Sequence, residues 1–194
     1  MEISNPFYLE VLLALDRVDV KFLLVGGLAV AFHGYARYTA DMDLWVEPDP
    51  ANMNRLYTAL AELGYPASMV DQIKRTRNLN NPTPIKLQDD KNRLKIDLMT
   101  YIFQSKVSWQ ECYDSADTMA LSSINVPVVN IERLIDLKEN TNRLDNSMKD
   151  LVDAQELKKI RAQKQGLPPP ATSTQSFWKR LKGLLSINSN KRSR

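Results

Sequence analysis

Apolar residues recur along this chain in two rhythms, and the switches between them mark its elements. Asn5-Pro6 supplies a cap and a proline at a first helical position, and Phe7 to Leu15 follows as a short apolar helix. Lys21 to Val25 (KFLLV) is a strand stopped by Gly26-Gly27. Leu28 to His33 is small and apolar and reads as a helix that Gly34 ends. Met42 to Val46 is a second strand, broken by Glu47-Pro48-Asp49-Pro50, where Asp49 caps the next helix. That helix puts Met53, Leu56, Leu60 and Leu63 on one face before Gly64 closes it. Residues 66–83 show little pattern beyond the basic cluster Lys74, Arg75 and Arg77. A hairpin is predicted from Pro84 to Leu87 and from Arg93 to Thr100, around the polar turn QDDKN. In its second arm Leu94, Ile96 and Leu98 alternate with Lys95, Asp97 and Met99, so Asp97 points away from the apolar face. A strand near Ile124 to Val129 leads into a helix from Ile131 to Glu139. A last helix carries Met148, Leu151, Val152 and Ile160 at helical spacing.

After Ala162 the pattern fails. QGLPPPATSTQS is a proline-rich, small-polar linker. SFWKRLKGLLS then sets Phe177, Trp178, Leu181, Leu184 and Leu185 on one helical face, with Lys179, Arg180 and Lys182 opposite. The predicted division is therefore a folded domain over residues 1–163 and a flexible linker with a basic amphipathic tail over 164–194. Charge sharpens that division. The net charge of +3 combines 16 Lys/Arg against 23 Asp/Glu in residues 1–157 with ten Lys/Arg and no acid in residues 158–194. An acidic body thus carries a basic tail, and the overall pI describes neither. The tail is suited either to docking on nucleic acid, an anionic membrane or a protein, or to covering a groove of the body with its few apolar residues.

Other functions are excluded by composition. A single cysteine, Cys112, makes no internal disulfide and no cysteine metal site. The longest apolar runs fall far short of the ~20 residues of a membrane span, and MEISNPFYLE lacks the basic-then-apolar order of a signal peptide. The expected location is cytoplasmic.

Chemistry concentrates in VGGLAVAFHGYARYTADMDLWV, residues 25–46. Residues i and i+2 of a strand point the same way, so Asp41 and Asp43 project side by side while Met42 and Leu44 enter the core. Two parallel carboxylates repel unless a cation sits between them. The pair reads either as a solvated strand edge or as a site for a hard divalent ion, Mg²⁺ or Mn²⁺. A strand that ends in Gly-Gly and opens a helix reads either as a tight turn or as a backbone cradle for phosphate. Asp97, on the polar face of the hairpin strand, is a candidate third carboxylate. His33, the one histidine, is read as a packing or hydrogen-bonding residue, and Cys112 as a small semi-buried one.

This constellation resembles the nucleotidyltransferase (polymerase β-like) superfamily, through Val25-Gly26-Gly27, Asp41-Met42-Asp43-Leu44 and Ile96-Asp97-Leu98. The detail HGYARYTADMDL is similar to the minimal bacterial members, including AbiEii-type toxins, in which Arg and Thr precede the acid pair as Arg37 and Thr39 do here. Lys138, Arg143, Lys149, Asp150 and Asp153 fall in the places of that group's C-terminal pattern. The stretch from Asn140 to Lys149 departs from it in being longer and more polar.

The resemblance implies an α+β fold, a mixed sheet flanked by helices with a C-terminal helical segment. It implies transfer of NMP from an NTP to a hydroxyl of an RNA end, a protein or a small molecule. Asp41, Asp43 and Asp97 would be catalytic and would hold two Mg²⁺ or Mn²⁺ ions. Gly26, Gly27, Arg37, Thr39, Lys138 and Asp150 would serve the nucleotide, with Asp150 orienting Lys138. A toxin role would bring an antitoxin partner. The alternative is a nucleotide- or partner-binding module of the same fold without turnover.

Overall fold

The computed structural model describes residues 3–39, 41–76, 83–102, 105–140 and 147–167. The elements run in the order α1 (Pro6–Arg17), β1 (Phe22–Val25), α2 (Gly26–Phe32), β2 (Asp41–Val46), α3 (Pro50–Glu62) and α4 (Ala67–Thr76). Then come β3 (Ile85–Asp89), β4 (Leu94–Met99), α5 (Trp109–Asp114), β5 (Asp117–Leu121), β6 (Ile124–Val128), α6 (Ile131–Asn140) and α7 (Ser147–Lys164). The helix starts follow their local chemistry. Asn5 Oδ1 accepts from the Phe7 N–H at 3.0 Å, and the Asp49 carboxylate accepts from the Asn52 N–H at 3.0 Å, each followed by a proline inside the first turn.

The six strands form one mixed sheet in the order β3-β4-β2-β1-β6-β5. β2 lies antiparallel to β1 and parallel to β4, while β3–β4 and β5–β6 are antiparallel hairpins. This is the α+β arrangement expected, a mixed sheet flanked by helices with a helix at the C-terminal end of the described chain. One face of β2, β4 and β3 is apolar: Met42 and Leu44, Ile96 and Leu98, Ile85 and Leu87 are all buried. They join a single core with Tyr8, Leu12 and Leu15 of α1 and Leu56 and Leu60 of α3. The strand period of two then forces the intervening side chains onto the opposite face, where the polar residues lie.

Asn52 ties the edges of this core together. Fully buried, it accepts from the Lys21 N–H at 2.8 Å and donates to the carbonyls of Lys21 and Glu47 at 2.9 and 3.2 Å. It thus joins the start of β1 to the end of β2, a role that its polar type on an apolar helix does not announce.

The structure departs from the sequence reading at several elements. The turn after β1 takes one residue, because Gly26 adopts φ +66°, so α2 begins at Gly26 and not at Leu28. Residues 67–76, which show little pattern, form α4, with Val70 and Ile73 buried on one turn. Two elements went without a signal. α5 is set by a capping box in which the Ser108 hydroxyl accepts from the Glu111 N–H while Glu111 accepts from the Ser108 N–H. β5 is a short edge strand in which only Met119 and Leu121 are partly buried against the core. Finally, α7 does not bury Met148 and Val152, which are exposed, but Asp150, Asp153, Ala154 and Leu157. The reason for that inward turn of two aspartates lies in the site. Arg143 and the predicted tail beyond residue 167 lie outside the described residues.

Candidate active site

Asp43 on β2 sits opposite Asp97 on the parallel strand β4, and Asp41 precedes Asp43 by two residues on the same face. The three half-buried carboxylates bring ligand oxygens within 4.8 Å of one another. They lie in a cleft of about 460 Å³. Among the described residues no other group of three or more metal-ligating side chains comes together in this way.

The glycine corner is built around these acids. A Cβ on Gly26 would stand 1.9 Å from Asp43 Oδ2, and a Cβ on Gly27 would stand 2.5 Å from Thr39 Oγ1 and 2.9 Å from Arg37 Nη2. Both glycines therefore leave room for side chains of this chain's own site. Thr39 in turn steadies the acid pair, its hydroxyl lying 3.1 Å from Asp41 Oδ1.

One wall of the cleft is a charged network. Arg37 Nη2 donates to Asp153 Oδ2 at 3.0 Å, and Arg37 Nε lies 2.8 Å from Asp153 Oδ1. Lys138 on α6 reaches the same Asp153 at 2.9 Å and Asp150 at 2.6 Å. Asp153 is 1% exposed, so two cations share a carboxylate withdrawn from water. The inward turn of α7 follows, because its aspartates are the counterions of the cleft's two least exposed cations. Arg37 Nη1 also donates to the Tyr38 carbonyl at 3.0 Å, which fixes the loop leading into β2.

The nine residues to which the resemblance gives catalytic or nucleotide roles all line this one cleft: the three aspartates, Gly26, Gly27, Arg37, Thr39, Lys138 and Asp150. Tyr38, Lys86 and Lys149 line it as well. The signal for Lys86 was available, since the hairpin register pairs Lys86 with Asp97 and so places it on the polar face. Nothing in the sequence marks Tyr38. His33 stands apart. It is buried and its Nε2–H donates to the Val129 carbonyl at 2.8 Å, a tautomer set by a partner that only accepts. Burial holds its pKa below the usual value. Cys112 is fully buried, and burial pushes its thiol up to about 11, which leaves no thiolate at neutral pH.

No protein-family model matches the chain, and no curated protein matches it. A solved structure, that of an antigenic nucleotidyltransferase-like protein from Paracoccidioides brasiliensis, is similar to it. The identity is 15% and the TM-score 0.40, over 95% of this chain and 87% of that one. A likeness that distant leaves function to the site's own geometry.

Proposed function

We propose that the chain is a divalent-metal-dependent nucleotidyltransferase, moving NMP from an NTP to an acceptor hydroxyl. The observation that carries this reading is the convergence of Asp41, Asp43 and Asp97 within 4.8 Å in a cleft. Three carboxylates offer only hard oxygen ligands, a donor set that fits Mg²⁺ or Mn²⁺ and would hold two such ions. When bound, the ions neutralise phosphate charge and lower the pKa of the acceptor hydroxyl.

The transfer balances simply. The acceptor oxygen bonds to the α-phosphorus, the bond from that phosphorus to the bridging oxygen of the β-phosphate breaks, and pyrophosphate leaves with the electron pair. A carboxylate oxygen of Asp97 accepts the hydroxyl proton. Thr39 orients Asp41. Gly26 and Gly27 bring their backbone to the phosphates. Lys138 has three N–H donors, of which Asp150 and Asp153 take two, leaving one for the triphosphate.

The charge balance of the site supports cation dependence. Arg37, Lys86, Lys138 and Lys149 line the cleft against Asp41, Asp43, Asp97 and Asp150, and Asp153 stands behind them. The acids exceed the bases, so a triphosphate enters favourably only together with cations. In the narrower reading supported by Arg37-x-Thr39 before the acid pair, the chain is of the minimal AbiEii type, a toxin held by an antitoxin partner.

The test is transfer of α-labelled NMP from each of the four NTPs in the presence of Mg²⁺, with cell lysate as acceptor source. Asp43→Asn and Asp97→Asn are each expected to lower transfer at least ~100-fold. Both should melt at or above the wild-type temperature without metal, since each removes a like-charge repulsion. Wild-type transfer by either variant would overturn the metal assignment.

A further inference from the structure

Residues 158–194 carry ten Lys/Arg and no acid, and the fold divides that charge in two. On α7, Lys158 is held by Glu139 at 2.6 Å, Lys159 by Glu156 at 2.7 Å and Arg161 by Glu132 at 2.6 Å. The helix thus commits three cations to the body's own acids. α7 then ends in a closed cap. Gly166 takes φ +65°, its N–H donates to the Gln163 carbonyl at 3.1 Å, and the Leu167 N–H donates to the Ala162 carbonyl at 2.9 Å. This left-handed closure separates a helix from the segment after it. Leu167, 55% exposed, stands just past the cap. Residues 168–194 are tethered at that fixed point, with six Lys/Arg, no acid and the apolar stripe Phe177, Trp178, Leu181, Leu184 and Leu185. The tether is far from the cleft. Lys149 and Asp150 line the cleft from the first turn of α7, and Lys164 lies about 21 Å further along the helix axis.

We infer that residues 176–186 are a docking segment for an anionic lipid surface, lying on it as an amphipathic helix and tethering the body by the end of α7 opposite the cleft. The inference is independent of the reaction proposed for the cleft. A helix in a bilayer interface needs large apolar side chains, tryptophan and phenylalanine among them, on one face and Lys or Arg on the other. SFWKRLKGLLS supplies both, with Lys179, Arg180 and Lys182 opposite the stripe. A polynucleotide would use the charges and leave three leucines without a partner. Two hollows of the body away from the cleft do not suit the stripe either. The one at Phe7, Val11 and Tyr65 holds about 130 Å³, too little for five large side chains, and the other is lined by Asn5, Gln88, Asp89, Asp90 and Asn92. The body also explains the spacer. Residues 1–157 carry 23 acids against 16 bases, so an anionic surface repels the body while it attracts the tail. The stretch 167–176, with three consecutive prolines, spans about 30 Å when extended, several times the ~8 Å over which physiological salt screens charge.

The experiment mixes the full chain with vesicles of phosphatidylcholine, alone or with about 30% phosphatidylglycerol, and reads tryptophan emission and co-sedimentation. Of the three tryptophans, Trp45 and Trp109 are buried at 4% and 5% exposure, so a blue shift on adding vesicles reports Trp178. Anionic vesicles should give that shift and sediment the chain. Binding should fall about tenfold or more on neutral vesicles, and likewise on anionic ones in ~0.5 M salt. Leu181→Ser together with Leu184→Ser keeps every charge and should lower binding about tenfold or more. Lys179→Gln together with Lys182→Gln should weaken binding to anionic vesicles only. Both double variants should melt at the wild-type temperature. A lowered melting temperature in the leucine variant would show that the stripe covers the body, and would overturn the inference. So would undiminished vesicle binding by that variant, which would reduce the tail to a bare polycation. Wild-type binding to a single-stranded oligonucleotide but not to anionic vesicles would overturn it as well, and would make the tail a nucleic-acid segment.

Discussion

Gly26 is held to glycine twice over, by its φ of +66° and by Asp43 Oδ2 standing 1.9 Å from where a Cβ would be. Gly64 is the matched control, with φ +83° and nothing within 4 Å of an added Cβ. Both Gly→Ala changes incur the left-handed strain of about 1–2 kcal/mol. Only Gly26→Ala also pushes on a carboxylate of the triad. Gly64→Ala is expected to lower the urea midpoint but to bind Mn²⁺ like wild type in an EPR titration. Gly26→Ala should lose both stability and Mn²⁺ affinity. Retained affinity would mean that Asp43 is free to move aside, and that the corner does not set the site.

At the scale of elements, α7 is docked through charge as much as through apolar packing. Its Asp153 answers Arg37 from the loop before β2 and Lys138 from α6, so one carboxylate joins three segments. Asp153→Asn keeps the shape and removes the charge, leaving two largely buried cations short of a partner. The expected cost is about 3 kcal/mol in urea unfolding, at the lower end for a broken buried pair because the Arg37 side chain keeps 21% exposure. Asp150→Asn should cost clearly less, since Lys138 retains Asp153. Equal costs would show that the two aspartates act independently. This is also where sequence periodicity misled. Met148, Leu151, Val152 and Ile160 look like the inward face of α7, but it is Leu157 with small Ala154 and Ala162 that join the aspartates inside. A hydrophobic pattern ranks side chains by their transfer from water, and it has no means of scoring a carboxylate whose counterions come from elsewhere in the chain.

For the whole molecule, the single histidine makes stability against pH simple to read. His33 connects the end of α2 to the end of β6 and is neutral in the fold, its pKa held below the ordinary value by burial. In the unfolded chain it protonates near its usual pKa of about 6.5, before the folded form does. The unfolded state therefore binds the extra proton first, and stability falls as pH drops through that value and levels only once the folded imidazole is also protonated. Unfolding free energy should be lower at pH 5.5 than at pH 7.5, and His33→Gln should flatten the difference. An undiminished slope in that variant would assign the loss to carboxylates. Among the described residues no helix is long and apolar enough to cross a membrane.

The sequence by itself determined the elements whose residues carry their own instructions. Asn5 and Asp49 start helices, period-two alternation orients Met42 and Leu44 inward, and the same alternation leaves Asp41, Asp43 and Asp97 on the polar face. The family resemblance of these motifs also pointed to nine residues that line one cleft. Only the tertiary structure decided what depends on partners distant in the chain. It set β2 beside β4 in the register that brings Asp97 opposite Asp43, it turned Asp153 inward to meet Arg37 across 116 positions, and it left Tyr38 bare beside the triad. Strand order and ion pairing are set by the free energy of the whole packed molecule, and no local window of sequence contains both members of such a pair.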